Sequence, residues 1–89
     1  MRVLHLTLKA LPFNRIANGT KDIEYRKVTP YWTSRLEGKT FDEIHFKNGY
    51  SHNAPFMRVE YKGMTMGEWN GKPHYKLQLG RILEIKNTR

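Results

Sequence analysis

The sequence contains no cysteine, which excludes a disulfide framework, a thiolate nucleophile and a cysteine zinc cluster. The absence of cysteine fits a reducing compartment, and we expect a cytoplasmic protein. No apolar run approaches the ~20 residues that a membrane span requires. The apolar positions of residues 1–14 alternate with polar ones and Lys9 interrupts any signal-peptide core, which predicts a mature N-terminus. We therefore expect a soluble protein with no membrane partner.

Acidic residues are scarce relative to basic ones. The 89-residue chain carries 16 Lys and Arg against 8 Asp and Glu, a formal net charge of +8. Such a charge attracts phosphate-rich partners, although it carries no information about the fold. Charge alone leaves open whether the chain binds nucleic acid or is simply a basic protein. The length suits one domain, which we expect to span residues 1–89 and to act as a monomer or weak dimer.

The usual catalytic and metal-binding motifs are also lacking. The four histidines show none of the close spacings typical of zinc ligands, so we expect no metal and no cofactor. No serine lies in a nucleophile-elbow pattern, and no glycine-rich phosphate loop precedes a helix. The usual sequence motifs of hydrolases and of nucleotide-binding proteins are therefore absent.

Apolar residues at a spacing of two predict an α+β fold that is mainly β. "RVLHLTL" places Leu4, Leu6 and Leu8 on one face, and four later runs alternate in the same way, namely "FDEIHFK", "FMRVEYK", "HYKLQL" and "RILEIK". "NGYSHNAP" and "GMTMGEWNGKP" separate some of these runs as loops, and the second of them is a candidate lid. With one more strand after Gly19, the pattern predicts a small β-barrel of about six strands.

Two short helices are predicted between the first and third strands. "LPFNRIANG" has Pro12 where a first helical turn tolerates it and ends at Asn18-Gly19. "TPYWTSRLEG" offers Thr29 as the N-cap and Gly38 as the terminator. Both helices are expected to pack on one side or end of the barrel.

The segment after the first helix is the main candidate site. In "DIEYRKV", Ile23 and Tyr25 share one face of the predicted strand, whereas Glu24 and Arg26 share the other at roughly 7 Å. One interpretation is a solvated strand with a surface ion pair worth about 0–1 kcal/mol, and a buried Tyr25. The other is a binding site in which Arg26 offers a planar fork, and Lys21 a point charge, to a phosphate or a base edge.

Residues 19–26, "GTKDIEYR", form a glycine-x-lysine-x-x-glutamate-x-arginine pattern that resembles the signature of the ASCH domain family in the PUA-like superfamily. The order of strands and helices is similar, and "KLQLGRILEI" looks like the closing strands of that fold. The resemblance implies a PUA-like β-barrel with a cleft between the helices and the barrel, into which the signature residues point. The resemblance also implies that the chain binds RNA or an RNA-related ligand.

Some small members of that family are enzymes, either amidohydrolases acting on N4-acetylcytidine or ribonucleases. The resemblance implies that Lys21 and Glu24 are catalytic if this chain is such an enzyme. In the amidohydrolases a threonine stands three residues after the lysine, and here that position holds Glu24. A further glutamate completes their set, for which Glu60 and Glu68 are the candidates.

We therefore predict an RNA-binding or nucleotide-binding domain. Tyr31 and Tyr50 offer stacking surfaces for bases, while Asn48 and Asn53 carry the donors and acceptors that read base edges. The predicted nucleic-acid contacts are Lys21, Arg26, Lys27, Tyr31, Asn48, Tyr50 and Asn53. A plain hairpin connection would use many of the same residues in 47–56. A metal-independent enzyme on RNA-derived substrates and a basic module for an unspecified protein partner remain the alternatives.

Overall fold

The computed structural model describes residues 1–87; Thr88 and Arg89, which the predicted domain includes, lie outside the described residues. Five strands and two helices follow one another as β1 (Val3–Leu8), α1 (Ala10–Ala17), β2 (Ile23–Lys27), α2 (Pro30–Leu36), β3 (Glu43–Asn48), β4 (Phe56–Trp69) and β5 (Lys72–Lys86). The predicted class, α+β and mainly β with two helices, is confirmed. The assignment of residues 1–89 to one domain stays a prediction.

The five strands form one mixed sheet in the order β1-β3-β4-β5-β2. β1 pairs with β3 in parallel, and the other neighbours are antiparallel. A parallel pair needs a long crossover connection, which α1, β2 and α2 provide here. β1 and β2 are the two edges of the sheet, and no pairing within residues 1–87 joins them. The sheet is therefore open, and the predicted closed barrel is not confirmed.

β4 and β5 form one long hairpin where the sequence predicts a loop. Asn70 and Gly71 both have a positive φ, 53° and 72°, as a two-residue turn of the I′ type requires. Gly63, at φ 122°, lies at a register shift inside β4 and marks a bulge, not a loop. The predicted loop and lid are wrong because Gly63 to Trp69 continue β4. "HYKLQL" and "RILEIK" are likewise a single strand, which reduces the strand count to five.

The two helices begin and end close to where the sequence predicts. The N–H of Gly19, at φ 83°, donates to the carbonyl of Ile16 at 3.1 Å and closes the end of α1. Oγ1 of Thr29 accepts the N–H of Trp32 at 3.2 Å, which caps α2. Gly38 follows α2 at φ 71°. The predicted caps and stops are confirmed.

The core lies between one face of the sheet and the two helices. Its apolar side chains include the three alternating leucines of β1 and the inward residues of α1, α2, β3, β4 and β5, namely Leu4, Leu6, Leu8, Phe13, Ile16, Leu36, Ile44, Phe46, Met57, Val59, Tyr75, Leu77 and Leu79. Neither helix within residues 1–87 is long and apolar enough to cross a membrane.

A polar contact fixes α2 on this core. The hydroxyl of Tyr75 in β5 is buried, lies 2.7 Å from Oγ1 of Thr33 and donates to Oε2 of Glu37 at 2.6 Å. The bond to Glu37 is the main cause of a raised pKa for Tyr75. Because these bonds hold α2 at both its middle and its end, they also fix the outward side chains of that helix.

Candidate nucleic-acid interface

Two charged residues of β2, Glu24 and Arg26, face the core, whereas Lys27 is exposed. Glu24 lies opposite Leu77 and Arg26 lies opposite Tyr75 in the antiparallel pairing of β2 with β5. Directly opposed residues share a face of the sheet, and both partners here are fully buried. Glu24 is accordingly only 5% exposed. The interpretation as a solvated charged face is therefore wrong, and Tyr25, which that interpretation placed in the core, is half-buried on the outer face.

Glu24 is paired with two cations. Nζ of Lys21 donates to its Oε1 at 2.7 Å, and Nη2 of Arg26 lies 3.0 Å from its Oε2. A buried carboxylate is costly unless it is neutralised, so this geometry ties both side chains to the position of Glu24. The interpretation as a surface ion pair is therefore wrong. The three charged residues of the glycine-initiated pattern form one compact unit.

Arg26 also lies over the indole of Trp32, with Cζ 4.9 Å from the ring centroid. Its Nε and Nη2 are buried and lack a hydrogen-bond partner, so the contact of Nη2 with Glu24 is an ion pair without hydrogen-bond alignment. The ring face offsets part of the desolvation of these nitrogens. Nη1 is not among these orphaned buried nitrogens, and the side chain of Arg26 keeps 18% of its area exposed to solvent.

A cleft of ≈ 420 Å³ lies beside Lys21, and we call it the Lys21 cleft. Its lining residues are Arg15, Thr20, Lys21, Tyr25 and Trp69. The rings of Tyr25 and Trp69 are stacked at 5.4 Å with an interplanar angle of 19°. The cleft thus joins two cations and a hydroxyl to a flat aromatic wall.

A second cleft of ≈ 340 Å³ shares that wall, since Tyr25 and Trp69 line both. This Arg26 cleft adds two cations and three rings to the wall, from Arg26, Lys27, Tyr31, Trp32 and His74. His74 is buried and packs edge-on against Tyr25 at 6.3 Å and Trp69 at 5.4 Å. It supports the stacked pair from the β5 side.

A third cleft of ≈ 300 Å³ lies between the two edge strands of the sheet. His5 and Thr7 of β1 line it together with Arg26 of β2, and α2 contributes Trp32 and Arg35. This edge cleft therefore occupies the gap that a closed barrel would bridge with hydrogen bonds between β1 and β2. Tyr50, from the connection between β3 and β4, also lines it.

Most of the predicted contacts meet at these three clefts. Lys21, Arg26, Lys27, Tyr31 and Tyr50 line them. Asn48 and Asn53 line none of the three. The N–H of Asn48 donates to the carbonyl of Pro55 at 2.9 Å, and Asn53 is exposed in the following turn.

Sequence reasoning missed Arg15, Arg35 and Trp69. Arg35 follows Tyr31 by four residues, and its Cζ lies 5.4 Å from that ring, so helical spacing was the available signal. Arg15 lies in the last turn of α1, one turn before Gly19. Trp69 carried no signal because its segment was interpreted as a loop.

The residues that a hydrolase would need are only partly together. Lys21 and Glu24 are in contact, as described, but Glu60 and Glu68 line neither the Lys21 cleft nor the Arg26 cleft. Oε1 of Glu60 instead accepts the N–H of Arg81 at 2.8 Å. Within residues 1–87, no group of three or more His, Cys, Asp or Glu is arranged to hold a metal ion.

Comparison with protein-family models, with curated proteins and with solved structures finds no match to this chain. Membership of the ASCH family therefore stays a prediction.

Proposed function

We propose that this chain is a binding module for RNA or a nucleotide, and that the ligand occupies the Lys21 and Arg26 clefts. The observation that carries the proposal is the buried carboxylate of Glu24, which contacts both Lys21 and Arg26 at two adjoining clefts with a common aromatic wall. Cations placed beside flat rings suit a nucleotide, since a phosphate meets the charge and a base stacks on the ring.

The charge of the lining residues supports the same ligand. Across the three clefts the charged side chains, as far as residues 1–87 are described, are all basic: Arg15, Lys21, Arg26, Lys27 and Arg35. Glu24 lies beneath this surface and neutralises part of its charge. A polyanion is attracted to such a surface and releases counterions on binding, so its affinity falls with salt.

The same contacts favour binding over catalysis. Nζ of Lys21 donates to the buried carboxylate of Glu24, so an attack on a substrate would first have to break this contact. A second candidate nevertheless rests on this pair, because at 2.7 Å a proton can pass between Nζ and Oε1. It is a metal-independent ribonuclease or N4-acetylcytidine amidohydrolase with Lys21 and Glu24 as its catalytic residues.

We also infer that the chain belongs to the PUA-like superfamily as an ASCH domain. Support comes from the convergence of Lys21, Glu24 and Arg26 at one site and from the positive φ of Gly19. On this proposal the open sheet is a PUA-like barrel that is not closed between β1 and β2, where the edge cleft lies. The lack of cysteine is consistent with a cytoplasmic location for an RNA-binding protein.

The test is incubation of the purified protein, with EDTA, with a labelled mixed-sequence RNA and separately with N4-acetylcytidine. Lys21→Ala is the variant, and Lys62→Ala, at an exposed position of β4, is the control of equal charge change. We expect intact substrates and an RNA shift that weakens with salt and with Lys21→Ala only. Product that disappears in Lys21→Ala would establish the enzyme instead. A shift with an acidic protein that nucleotides do not displace would point to the protein-interaction module.

A further inference from the structure

The three clefts share their walls, which makes them one continuous surface. The stacked rings of Tyr25 and Trp69 line the first and second clefts, and Tyr31, Trp32 and Arg26 line the second and third. We call this surface the track. It runs from Arg15 at the end of α1, across β2, to Arg35 on α2 and the edge of β1.

Cations and aromatic rings alternate along the track. Arg15 and Lys21 come first, and the stacked pair of Tyr25 and Trp69 follows. Beyond that pair the next cations are those of the Arg26 cleft. A strand of nucleic acid presents its phosphates and bases in the same repeating way.

The second half of the track repeats this arrangement. Tyr31 and Trp32, whose rings meet edge to face at 4.9 Å, line both the Arg26 cleft and the edge cleft, which adds the last cation, Arg35. From this repetition we infer that the ligand is a single-stranded oligonucleotide of at least three nucleotides, with one phosphate at each cationic position and bases against the rings between them. The inference rests on the proposed function and specifies its ligand.

Arg35 is the residue that extends the site beyond the glycine-initiated pattern. Its Cζ lies 5.9 Å from the centroid of Trp32, the ring on which Arg26 also lies. Nε of Arg35 is buried and lacks a hydrogen-bond partner, and no carboxylate of residues 1–87 forms an ion pair with Arg35. Arg58, by contrast, is paired with both Glu43 and Glu84.

Two guanidinium groups therefore share one indole, and only Arg26 has a carboxylate nearby. Because both residues line the edge cleft, an anion that enters it offsets their like charge in a partly desolvated site. A phosphate suits this position because its oxygens can accept from the guanidinium of Arg35, while Arg26 adds positive charge. The edge cleft is thus the third phosphate position.

The exposure of the rings favours a single strand over a duplex. Tyr31 is 59% exposed, Trp69 49% and Tyr50 89%, although large aromatic side chains are usually buried. Exposed ring faces serve as platforms for bases that are not already stacked in a helix, and a duplex presents only its backbone and groove edges. Three exposed rings beside the cationic positions are therefore suited to unpaired bases.

The experiment is a competition assay in which random-sequence RNA pools of one to eight nucleotides displace a labelled random octamer. The proteins compared are wild type, Arg35→Ala, and Arg81→Ala as the matched control, since Arg81 lies on β5 with 82% of its side chain exposed. Each is measured at ~50 mM and ~200 mM salt so that the salt slope is obtained.

We expect affinity to rise with length up to at least the trimer, and single strands to compete better than duplexes of equal length. Arg35→Ala should weaken trimers and longer pools by at least about fivefold and lower the salt slope by about 0.7, which is the loss of one phosphate contact on a single strand. Mononucleotides should bind Arg35→Ala and wild type alike. Arg81→Ala should behave as wild type for every length.

Three results would overturn the inference and leave nucleotide binding intact. The first is a mononucleotide that competes as well as the octamer, and the second is a duplex that competes better than the single strand. An equal effect of Arg35→Ala and Arg81→Ala on the long pools would also overturn it. Failure of the labelled octamer itself to bind at low salt would contradict the proposed function, so the two failures are distinguishable. Circular dichroism of each variant checks that it folds.

Discussion

Nζ of Lys21 lies 2.7 Å from Oε1 of Glu24, and the side chain of Glu24 is only 7% exposed. The buried carboxylate therefore fixes the position of the Lys21 ammonium group, although the side chain of Lys21 is still 25% exposed to solvent. The same carboxylate also lies beside Arg26. The geometry of the proposed site and the stability of the fold are consequently coupled at one residue.

Glu24→Gln should destabilise the fold because it leaves two cations beside a neutral amide that cannot compensate their charge. Lys21 and Arg26 can partly turn to solvent, so we expect a loss of about 1.5–3 kcal/mol in the free energy of unfolding. Urea denaturation measures it, with Glu68→Gln at an exposed position of β4 as the control. An unchanged midpoint in Glu24→Gln would show that the carboxylate does not anchor the two cations.

Arg26→Lys tests the planar guanidinium separately from its charge. Lysine keeps the positive charge but loses both the forked donor geometry and the flat contact with Trp32. We expect RNA affinity to fall by roughly fivefold or more, with little change in the salt slope. Anisotropy with a labelled RNA measures both, and Arg81→Lys is the control. Wild-type affinity in Arg26→Lys would mean that Arg26 contributes charge alone.

Gly19→Val should destabilise the fold through the backbone, since a β-branched residue disfavours φ 83°. No atom lies within 4 Å of an added Cβ at this position, so a steric clash does not contribute. We expect a loss of more than ~1 kcal/mol for Gly19→Val and a smaller one for Gly19→Asn, which tolerates a positive φ. Thermal denaturation of the pair measures the difference. Equal costs for the two variants would argue against a conformational origin.

Glu43 should contribute to stability against acid. The hydrogen bond from His45, followed by the charge of Arg58, lowers the pKa of Glu43 below 4.5 despite the opposing effect of burial. A carboxyl whose pKa is lower in the folded state stabilises the fold above pH 4.5, and this contribution is lost as the pH falls through the lowered value.

Glu43→Gln should therefore show a flatter decline of stability below pH 4.5 than wild type. Urea midpoints measured over an acid pH series provide the test. Glu68→Gln, which removes an exposed carboxylate, should keep the wild-type slope. A wild-type slope in Glu43→Gln would assign the acid sensitivity to other carboxylates.

Much of the fold follows from local sequence. Alternating leucines predict β1, and Thr29 and Gly19 mark helix ends because capping and positive φ depend on residues close in the chain. The length of the β4 and β5 hairpin cannot be predicted in this way, because a glycine such as Gly63 is equally typical of a loop and of a bulge inside a strand. Only the pairing partner, which lies far along the chain, distinguishes the two.

The site shows the same limit. The spacing of Lys21, Glu24 and Arg26 indicates that they can meet, and they do. The spacing of residues on β2 does not show which face of the strand is buried. The alternation of Ile23 and Tyr25 indicated that their face is buried, whereas the buried face is that of Glu24 and Arg26. Arg35 reaches the site only through the docking of α2 on β5, so no pattern within β2 could have revealed it.

The pairing of β2 with β5 also bears on how the protein is made. Residues Ile23–Lys27 find their sheet partner only in Lys76 and its neighbours, some fifty residues later along the chain. Chain synthesis is slow compared with local helix and hairpin formation, so β2 has no strand to pair with until β5 has been translated. Lys21, Glu24 and Arg26 are thus synthesised well before the strand against which β2 pairs. We expect a nascent chain that stalls before β5 to carry the complete glycine-initiated pattern without the ability to hold a ligand.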